Sequence, residues 1–229
     1  MYSSYYSFCR VFRFSILLFL KFFCFVFFFT KVNYKNTKNI PWEKINLILF
    51  LNHTSLFEFI FITIVPIKYL WRMSEKLIFP VADISYDKFL FGNFIKKLGP
   101  YPIRISRKRD KSWSYFLRKL TNDKILIFPA EGRMRRKTGL DKDGKPLTVR
   151  SGVCDILKKY ESCPFLIMYS HGIHHVYAPE DKLPKLFKRI SITIEMLSVS
   201  DYCKKFTKDS VLNKKALRSD LDRKRDEII

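Results

Sequence analysis

The chain has 229 residues, with 43 Lys and Arg against 21 Asp and Glu, so its formal net charge at pH 7 is +22. This length is sufficient for one α/β domain with a substantial core, and no change of composition marks a second globular domain. The charge predicts an anionic partner, which leaves nucleic acid, an anionic membrane surface and an acidic carrier protein as candidates. The chain holds 23 Phe residues, crowded toward its first thirty positions, and this favours lipid over nucleic acid.

The cysteines are scattered and odd in number, which predicts free thiols in a reducing, cytosolic setting. They lie at Cys9, Cys24, Cys154, Cys163 and Cys203. Cys154 and Cys163 precede three histidines within residues 171–175, which makes a zinc site an alternative there. Because no close Cys pair supports zinc, we expect no metal.

The N-terminal segment is almost wholly apolar from Phe14 to Phe29 and is interrupted by Lys21. A helix over this stretch would be about 24 Å long, which is less than the roughly 30 Å of a bilayer's hydrocarbon core. The longer stretch of residues 11–30 takes in Arg13. No small-residue cleavage site follows, so we expect the segment to be retained.

A helical wheel predicts how this segment meets a bilayer. The wheel places the cations of the segment within a sector of about 80°, with Cys24 among them. These cations are Arg10, Arg13, Lys21 and Lys31. We expect residues 1–40 to anchor the protein at the membrane interface, with the cationic stripe reaching lipid phosphates. A tilted transmembrane helix is the alternative, and residues 41–229 form the remaining domain.

The rest of the chain alternates short apolar runs with amphipathic segments. The runs predict strands at residues 45–51, 69–73, 101–105, 124–128, 165–169 and 190–194, and the amphipathic spacing predicts helices at residues 55–65, 87–98, 111–121 and near 153–157. This alternation predicts an α/β fold with a mainly parallel sheet flanked by helices. The last twenty residues predict a solvated helix without a function.

A histidine and a carboxylate follow the first of these strands. His53 comes two residues after the apolar run, and Glu58 follows five residues later. A neutral histidine accepts a proton from a hydroxyl when a carboxylate holds its ring and stabilises the resulting cation. The pair therefore predicts a hydroxyl activated for attack. The alternative is a capping box between Ser55 and Glu58, which would not need His53.

Two further charged segments follow strands of the predicted sheet. Glu131, Gly132 and Arg133 follow the strand at residues 124–128, and Arg104 and Arg107 lie at the end of the strand at residues 101–105. Ligands of α/β sheets gather beyond the carboxyl ends of the strands, where the histidine segment also lies. Arginine binds phosphate through two parallel hydrogen bonds. Taken singly, each segment is better explained as a polar or basic loop.

Together, and in this order, the three segments resemble the glycerolipid acyltransferase family that includes the lysophosphatidic acid acyltransferases (the PlsC-like family). In that family four residues separate a histidine from an acidic residue, usually Asp, as they separate His53 from Glu58. The family's glycine-hydrophobic-arginine segment is similar to residues 99–104, and its Phe-Pro-Glu-Gly-Thr-Arg block is similar to residues 128–133. The resemblance spans residues 42–196.

The chain also departs from the family pattern. Glu58 stands in the place of Asp, and Ala130 is inserted before Glu131. Arg133 stands where the family has Thr, which leaves either Arg133 or Arg135 as the counterpart of the family's arginine. Ile105 occupies a place where many members have Arg, so Arg104 or Arg107 would have to serve.

The resemblance implies an enzyme of phospholipid biosynthesis on the cytoplasmic face of a membrane. Such an enzyme moves a fatty acyl group from a thioester of coenzyme A or acyl carrier protein to the hydroxyl of a lysophospholipid, first of all lysophosphatidic acid, and holds no bound cofactor. The implied roles are general base for His53, ring orientation for Glu58, phosphate binding for Arg104, Arg107 and Arg133, and acceptor positioning for Glu131 and Gly132. A different lysolipid acceptor, or an inactive protein that binds anionic lipid, are the alternatives.

Overall fold

The structure is a computed structural model that describes residues 2–87, 89–106, 110–136, 138–178 and 181–228. Its α-helices are α1 (Tyr2–Phe27), α2 (Ile67–Lys76), α3 (Asp83–Tyr86), α4 (Phe89–Leu98), α5 (Lys111–Lys119), α6 (Gly152–Lys159), α7 (Ile173–Val176), α8 (Val199–Lys204) and α9 (Lys214–Asp226). Its strands are β1 (Phe29–Tyr34), β2 (Leu47–Leu51), β3 (Leu77–Ala82), β4 (Tyr101–Ile105), β5 (Ile125–Pro129), β6 (Pro164–His171), β7 (Arg189–Ser198), β8 (Thr207–Lys208) and β9 (Val211–Leu212). Two 3₁₀ helices cover Trp42–Lys44 and Leu56–Ile64.

The main sheet has seven strands in the described part of the chain, in the order β1-β7-β6-β2-β5-β3-β4. Strands β6, β2, β5, β3 and β4 are parallel to one another, and β1 and β7 run in the opposite direction, with β7 antiparallel to β6. The predicted mainly parallel α/β fold is therefore confirmed. The chain passes from β5 to β6 across β2, so the carboxyl end of β2 lies at a switch point in the strand order, where α/β proteins bind ligands.

The sheet separates two apolar layers, and the side chains of its central strands alternate between them. In β2, Ile48 and Phe50 face the layer of α1, α2 and the second 3₁₀ helix, whereas Leu47, Leu49 and Leu51 face the layer of α5, α6, α8 and α9. All five residues are buried, as expected of a strand covered on both faces. The end of β2 is thereby fixed within the fold.

The segment between the first 3₁₀ helix and α4 differs from the prediction. Residues 69–73, predicted as a strand, belong to α2, because Tyr69, Leu70 and Met73 recur at helical spacing after Pro66. The strand β3 was not predicted, since Pro80 lies inside it. The proline is tolerated because β3 pairs with β5 only at Leu77 and Ile78.

Two cations of α1, Lys21 and Arg10, contact the protein, so the prediction that they reach lipid phosphate is wrong. Lys21 donates to the carbonyl oxygens of Ile62, Thr63 and Val65, at the end of the second 3₁₀ helix. Arg10 lies 3.0 Å from a carboxylate oxygen of Glu75. The helix also ends before Lys31, which lies in β1.

The opposite face of α1 is exposed and apolar. We call it the apolar face of α1, and it consists of Phe8, Val11, Phe12, Leu18, Phe19, Phe22, Phe25 and Val26. No helix in the described residues is both long enough and apolar enough to cross a membrane. The anchoring role of residues 1–40 stays a prediction, but this segment also supplies β1, which pairs with β7 in the main sheet.

The C-terminal helix α9 is packed rather than solvated. Leu217 and Leu221 are buried in the apolar layer that also holds α6, and the amide of Val149 donates to Asp222 at 2.9 Å. The hydroxyl of Tyr202 donates to Asp220 at 2.7 Å. The prediction that these residues carry no function needs revision, because the same helix reaches the site described next.

Candidate active site

The site begins at a tight turn that follows β2. Asn52 adopts a left-handed backbone conformation with φ of 65°, which asparagine tolerates better than most residues. Its side-chain amide donates to the carbonyl oxygen of Ser170 at 2.7 Å, and the Ser170 hydroxyl donates back to the Asn52 carbonyl at 2.6 Å. The turn is thus fixed to β6, and it presents His53 at the carboxyl edge of the sheet.

His53 and Glu58 are in direct contact. Nδ1 of His53 lies 2.6 Å from Oε1 of Glu58, and in the described residues neither atom has a hydrogen bond to any other group. Since Glu58 faces Nδ1, the other ring nitrogen, Nε2, is the one left to accept a proton. Ser55 accepts from the amide of Phe57 instead of forming the predicted alternative, the capping box with Glu58.

The second 3₁₀ helix explains how a glutamate reaches the ring. The segment was predicted as a helix, and it is a 3₁₀ helix with a kink at Phe57, where φ is −87° and ψ is 17°. Glu58 follows this kink directly, and its carboxylate reaches Nδ1 of His53.

The surroundings of His53 raise its pKa above the usual value. Burial alone would lower the pKa, but the charge of Glu58, its contact with the ring and the charge of Glu131 outweigh that effect. The stabilising effect of the protonated ring on the fold is fully present below the unfolded pKa of about 6.5. It is lost as the pH rises through the higher folded value.

Glu131 holds the backbone of this turn in place, and we call its contacts the brace of the site. Its carboxylate is fully buried and accepts the amide of Asn52 at 2.8 Å and the amide of His53 at 3.3 Å. Ala130, the residue inserted relative to the family pattern, extends the pairing of β5, since its amide donates to the Phe50 carbonyl at 3.0 Å. The predicted meeting of the histidine and glutamate segments at one edge of the sheet is what the structure shows. Burial raises the pKa of Glu131, opposed by the two amides and the charges of His53 and Arg225.

Arg225 in α9 completes this brace. The arginine is 7% exposed, and one of its terminal nitrogens lies 3.6 Å from Oε1 of Glu131. The same guanidinium contacts Asp222 at 2.8 Å and Asp226 at 2.9 Å. The C-terminal helix therefore supplies the cation that faces the buried carboxylate under His53.

Two of the three arginines predicted to bind phosphate are paired with carboxylates. Arg104 lies on the edge strand β4, three strands from β2 and hence about 14 Å away across the sheet, and it contacts Asp87 at 2.8 Å. Arg133 contacts Asp141 as well as Asp143, the latter at 2.6 Å. The amide of Lys145 and the guanidinium of Arg133 lower the pKa of Asp141 to about 2. Arg107 lies outside the described residues.

Gly132 and Arg135 follow Glu131 into the loop. Gly132 is exposed and adopts a φ of 63°, a conformation that glycine adopts without strain. The Arg135 amide donates to the carbonyl of His53 at 2.7 Å. Its guanidinium donates to the Gly139 carbonyl at 3.2 Å and makes no ion pair with a carboxylate in the described part of the chain.

A cavity of about 200 Å³ lies beside the turn. It is lined by Asn52, Glu131, Arg135, Gly139, Pro146, Leu147, Arg225 and Asp226. The two carboxylates on its wall are held by Arg225, so Arg135 presents the cation without such a partner. Arg135 was one of two predicted counterparts of the family's arginine, and its guanidinium pairs with no carboxylate in the described residues, whereas that of Arg133 does.

Two residues of this site were missed in the sequence. Arg225 continues the spacing of four that places Leu217 and Leu221 on one face of α9, and this was the signal that could have located it. Ser170 carried no such signal, because its role depends on the pairing of β6 with β2.

The cysteines and histidines do not form a metal centre in the described residues. All five cysteines are free thiols, as predicted. In the ranges that the structure describes, no group of three or more His, Cys, Asp or Glu side chains is arranged to hold a metal ion.

Comparison with known proteins shows a similarity of fold. The sequence matches no protein-family model and no curated protein. The fold is similar to the crystal structure of the 1-acyl-sn-glycerophosphate (LPA) acyltransferase PlsC from Thermotoga maritima, with a TM-score of 0.52 and 15% sequence identity. The match covers 97% of this chain and 79% of that one, and it shows that the two chains share a fold.

Replacing Arg225 tests whether α9 braces the site. We expect Arg225→Met to lower the free energy of unfolding by about 3 kcal/mol, since it leaves the buried Glu131 without its cation. Glu131→Gln should lower the free energy of unfolding less in the Arg225→Met protein than in the wild type. Denaturant titrations should give a coupling energy between the two substitutions of about 1–3 kcal/mol. Arg223→Met, on the exposed side of α9, is the control and should cost below about 1 kcal/mol. Equal losses for the two arginines would contradict the brace.

Proposed function

We propose that this protein is a glycerolipid acyltransferase that moves a fatty acyl group from an acyl-CoA or acyl-carrier-protein thioester to the hydroxyl of a lysophospholipid. The observation that carries the proposal is the contact of 2.6 Å between His53 and Glu58 at the carboxyl edge of the sheet. The fold shared with an LPA acyltransferase supports it. Lysophosphatidic acid is the acceptor that we propose first, which would give phosphatidic acid.

In this mechanism His53 acts as general base. Nε2 removes the proton of the acceptor hydroxyl as its oxygen attacks the thioester carbonyl carbon, and the imidazolium that forms is stabilised by Glu58. Collapse of the tetrahedral intermediate breaks the carbon–sulfur bond, and the thiolate leaves with the proton from Nε2. Glu131 takes no proton in this scheme, since it holds the backbone on which His53 sits.

The acceptor phosphate binds Arg135 in the proposed complex. This arginine lies next to His53 in the structure, through the bond between its amide and the His53 carbonyl, and its guanidinium is not paired with a carboxylate in the described residues. Arginine matches the geometry of a phosphate by donating two parallel hydrogen bonds. The cavity beside the turn provides the space for this group.

The exposed side of α1 supports a membrane-bound acceptor. A helix whose Lys21 and Arg10 contact the protein and whose apolar face is exposed offers an apolar stripe to its surroundings. An exposed apolar patch of this extent is typical of an interaction site for protein or membrane. Since lysophospholipid and product both reside in a bilayer, we propose that the apolar face of α1 rests in the cytoplasmic membrane interface.

A lysolipid without a phosphate is the second candidate acceptor. Arg104 and Arg133, the predicted phosphate ligands, are paired with Asp87 and with Asp141 and Asp143. If the acceptor carries no phosphate, Arg135 is dispensable for its binding.

The role of His53 is tested by its removal. We expect His53→Ala to lower turnover of lysophosphatidic acid with a long-chain acyl-CoA by roughly 10²–10⁴-fold, because the proton acceptor is lost. Thermal unfolding of the purified variant serves as the control, because the substitution leaves the buried Glu58 without its partner and a loss of fold has to be separated from a loss of turnover. An active His53→Ala protein with an intact fold would remove the basis of the proposal.

The raised pKa of His53 makes a separate prediction about pH. Turnover needs the neutral ring, so its acidic limb should have a midpoint above the ordinary histidine value of about 6.5. Glu58→Gln removes the main influence that raises the pKa, so the midpoint should move to lower pH while the maximal rate falls. The measurement is the pH profile of kcat for both proteins. A midpoint that stays in place in the variant contradicts the assigned contact.

Arg135 distinguishes the two acceptors. We expect Arg135→Met to raise KM for lysophosphatidic acid by roughly tenfold or more, the loss of a charged hydrogen-bonding partner, and to leave KM for a monoacylglycerol unchanged. Arg104→Met is the matched control, and it should change neither KM because that side chain is paired on the edge strand. If Arg135→Met affects both acceptors alike or neither, the phosphate is bound elsewhere or is not required.

A further inference from the structure

A surface loop beside the site combines lysines with apolar side chains. Residues 182–188 read Lys-Leu-Pro-Lys-Leu-Phe-Lys and all are exposed. We call this segment the 182–188 loop. Leu183 is 77% exposed and Phe187 is 60% exposed, so the apolar side chains are not covered by the rest of the described protein. Several exposed apolar side chains on one short loop are typical of an interaction site.

The loop is held against the end of α1. The amide of Phe187 donates to the Phe27 carbonyl at 2.8 Å, and the rings of the two residues are 5.7 Å apart. Phe187 has a φ of 57°, which is uncommon for a bulky residue and shows that local contacts fix this conformation. The loop is therefore held next to the C-terminal end of α1, which also carries the apolar face.

A basic cavity lies next to the same loop. Its volume is about 360 Å³, and it is lined by His174, His175, Lys185, Lys188 and Arg189. Among the residues that the structure describes, Lys188 and Arg189 form no ion pair, and Lys185 is 3.9 Å from Asp181. Since the lining offers cations and imidazoles, the ligand that it suits is an anion such as a phosphate.

The loop and the cavity lie at the same edge of the sheet as His53. Arg189 pairs with Phe29 at the start of β1, and Ser191 pairs with His171 at the carboxyl end of β6. Strand β7 is two strands from β2, and hence roughly 10 Å from it across the sheet. A lipid surface in contact with this edge of the sheet would therefore lie within reach of His53 and Glu58.

We propose that the 182–188 loop and the basic cavity are a second membrane contact, specific for anionic lipid, that orients the site toward the bilayer. Leu183, Leu186 and Phe187 would enter the acyl region, and Lys185, Lys188 and Arg189 would bind lipid phosphates. A soluble phosphate ligand or an acidic protein would explain the cations but not the apolar side chains between the lysines. The inference rests on the proposed function, because it assumes a substrate that resides in the bilayer.

Vesicle binding by the full chain tests the cationic part. The double variant Lys188→Gln/Arg189→Gln should partition roughly 25-fold less onto vesicles of equal parts phosphatidylcholine and phosphatidylglycerol, at about fivefold for each cation near the surface. On phosphatidylcholine alone it should match the wild type. Lys204→Gln/Lys205→Gln is the control with the same change of charge, since these exposed lysines follow the other end of β7, and it should lose much less.

A second pair of variants tests the apolar side chains of the 182–188 loop. Leu183→Ser should weaken partition onto both kinds of vesicle several-fold, whereas Val211→Ser, at a residue that is 70% exposed on β9, should leave it unchanged. If the loop variants bind vesicles as their controls do, the second contact is overturned. Loss of binding to inorganic phosphate or acidic carrier protein, with vesicle binding retained, would assign the cavity to a soluble partner instead.

The test separates this inference from the proposed function. Vesicle partition is measured without turnover, so it decides the membrane contact even if the protein transfers no acyl group. The loop variants should turn over detergent-dispersed lysophosphatidic acid at the wild-type rate, since they leave His53 and Glu58 in place. If the loop variants show wild-type turnover and unchanged vesicle binding, the proposed membrane contact is overturned and the proposed function is not.

Discussion

The arrangement of the site depends on one buried carboxylate. Glu131 accepts the amides of Asn52 and His53, and these two bonds hold the left-handed turn in which β2 ends. A carboxylate without exposure to water is stable there only because amides and a guanidinium satisfy it. Three separate parts of the chain, the β2 turn, the end of β5 and the C-terminal helix, therefore meet at a single charge.

The N-terminal helix shows that a charge pattern does not reveal which side of a helix faces the protein. Its cations form a stripe, as the helical wheel indicates, but Lys21 and Arg10 bind carbonyl and carboxylate oxygens of the domain. An apolar surface of Phe side chains is left on the outside. The prediction that these cations reach lipid failed because it considered only water and lipid phosphate as their partners. It did not consider the oxygens of the domain.

The parts of the fold that were predictable are those set by local pattern. The central strands and most of the later helices follow from buried apolar runs and helical spacing, and the carboxyl ends of parallel strands bring His53 and Glu131 together. The missed parts depend on distant partners. Strand β3 contains a proline that is acceptable only because a neighbour is missing along part of its length, and Arg225 looks like one more surface cation until Glu131 lies beside it. Arginine roles were the least predictable, since loop carboxylates decide which guanidinium is left for a ligand.

The three carbonyl bonds of Lys21 make the N-terminal helix a structural part of the domain. They end the short helix that begins just before Glu58, so the first segment of the chain supports the residue that faces the imidazole. Deletion of this helix would remove the donor for those oxygens. It would also remove the apolar side chains of α1 that share a core cluster with Leu70 and Phe61. Expression with α1 retained is the strategy that these contacts favour.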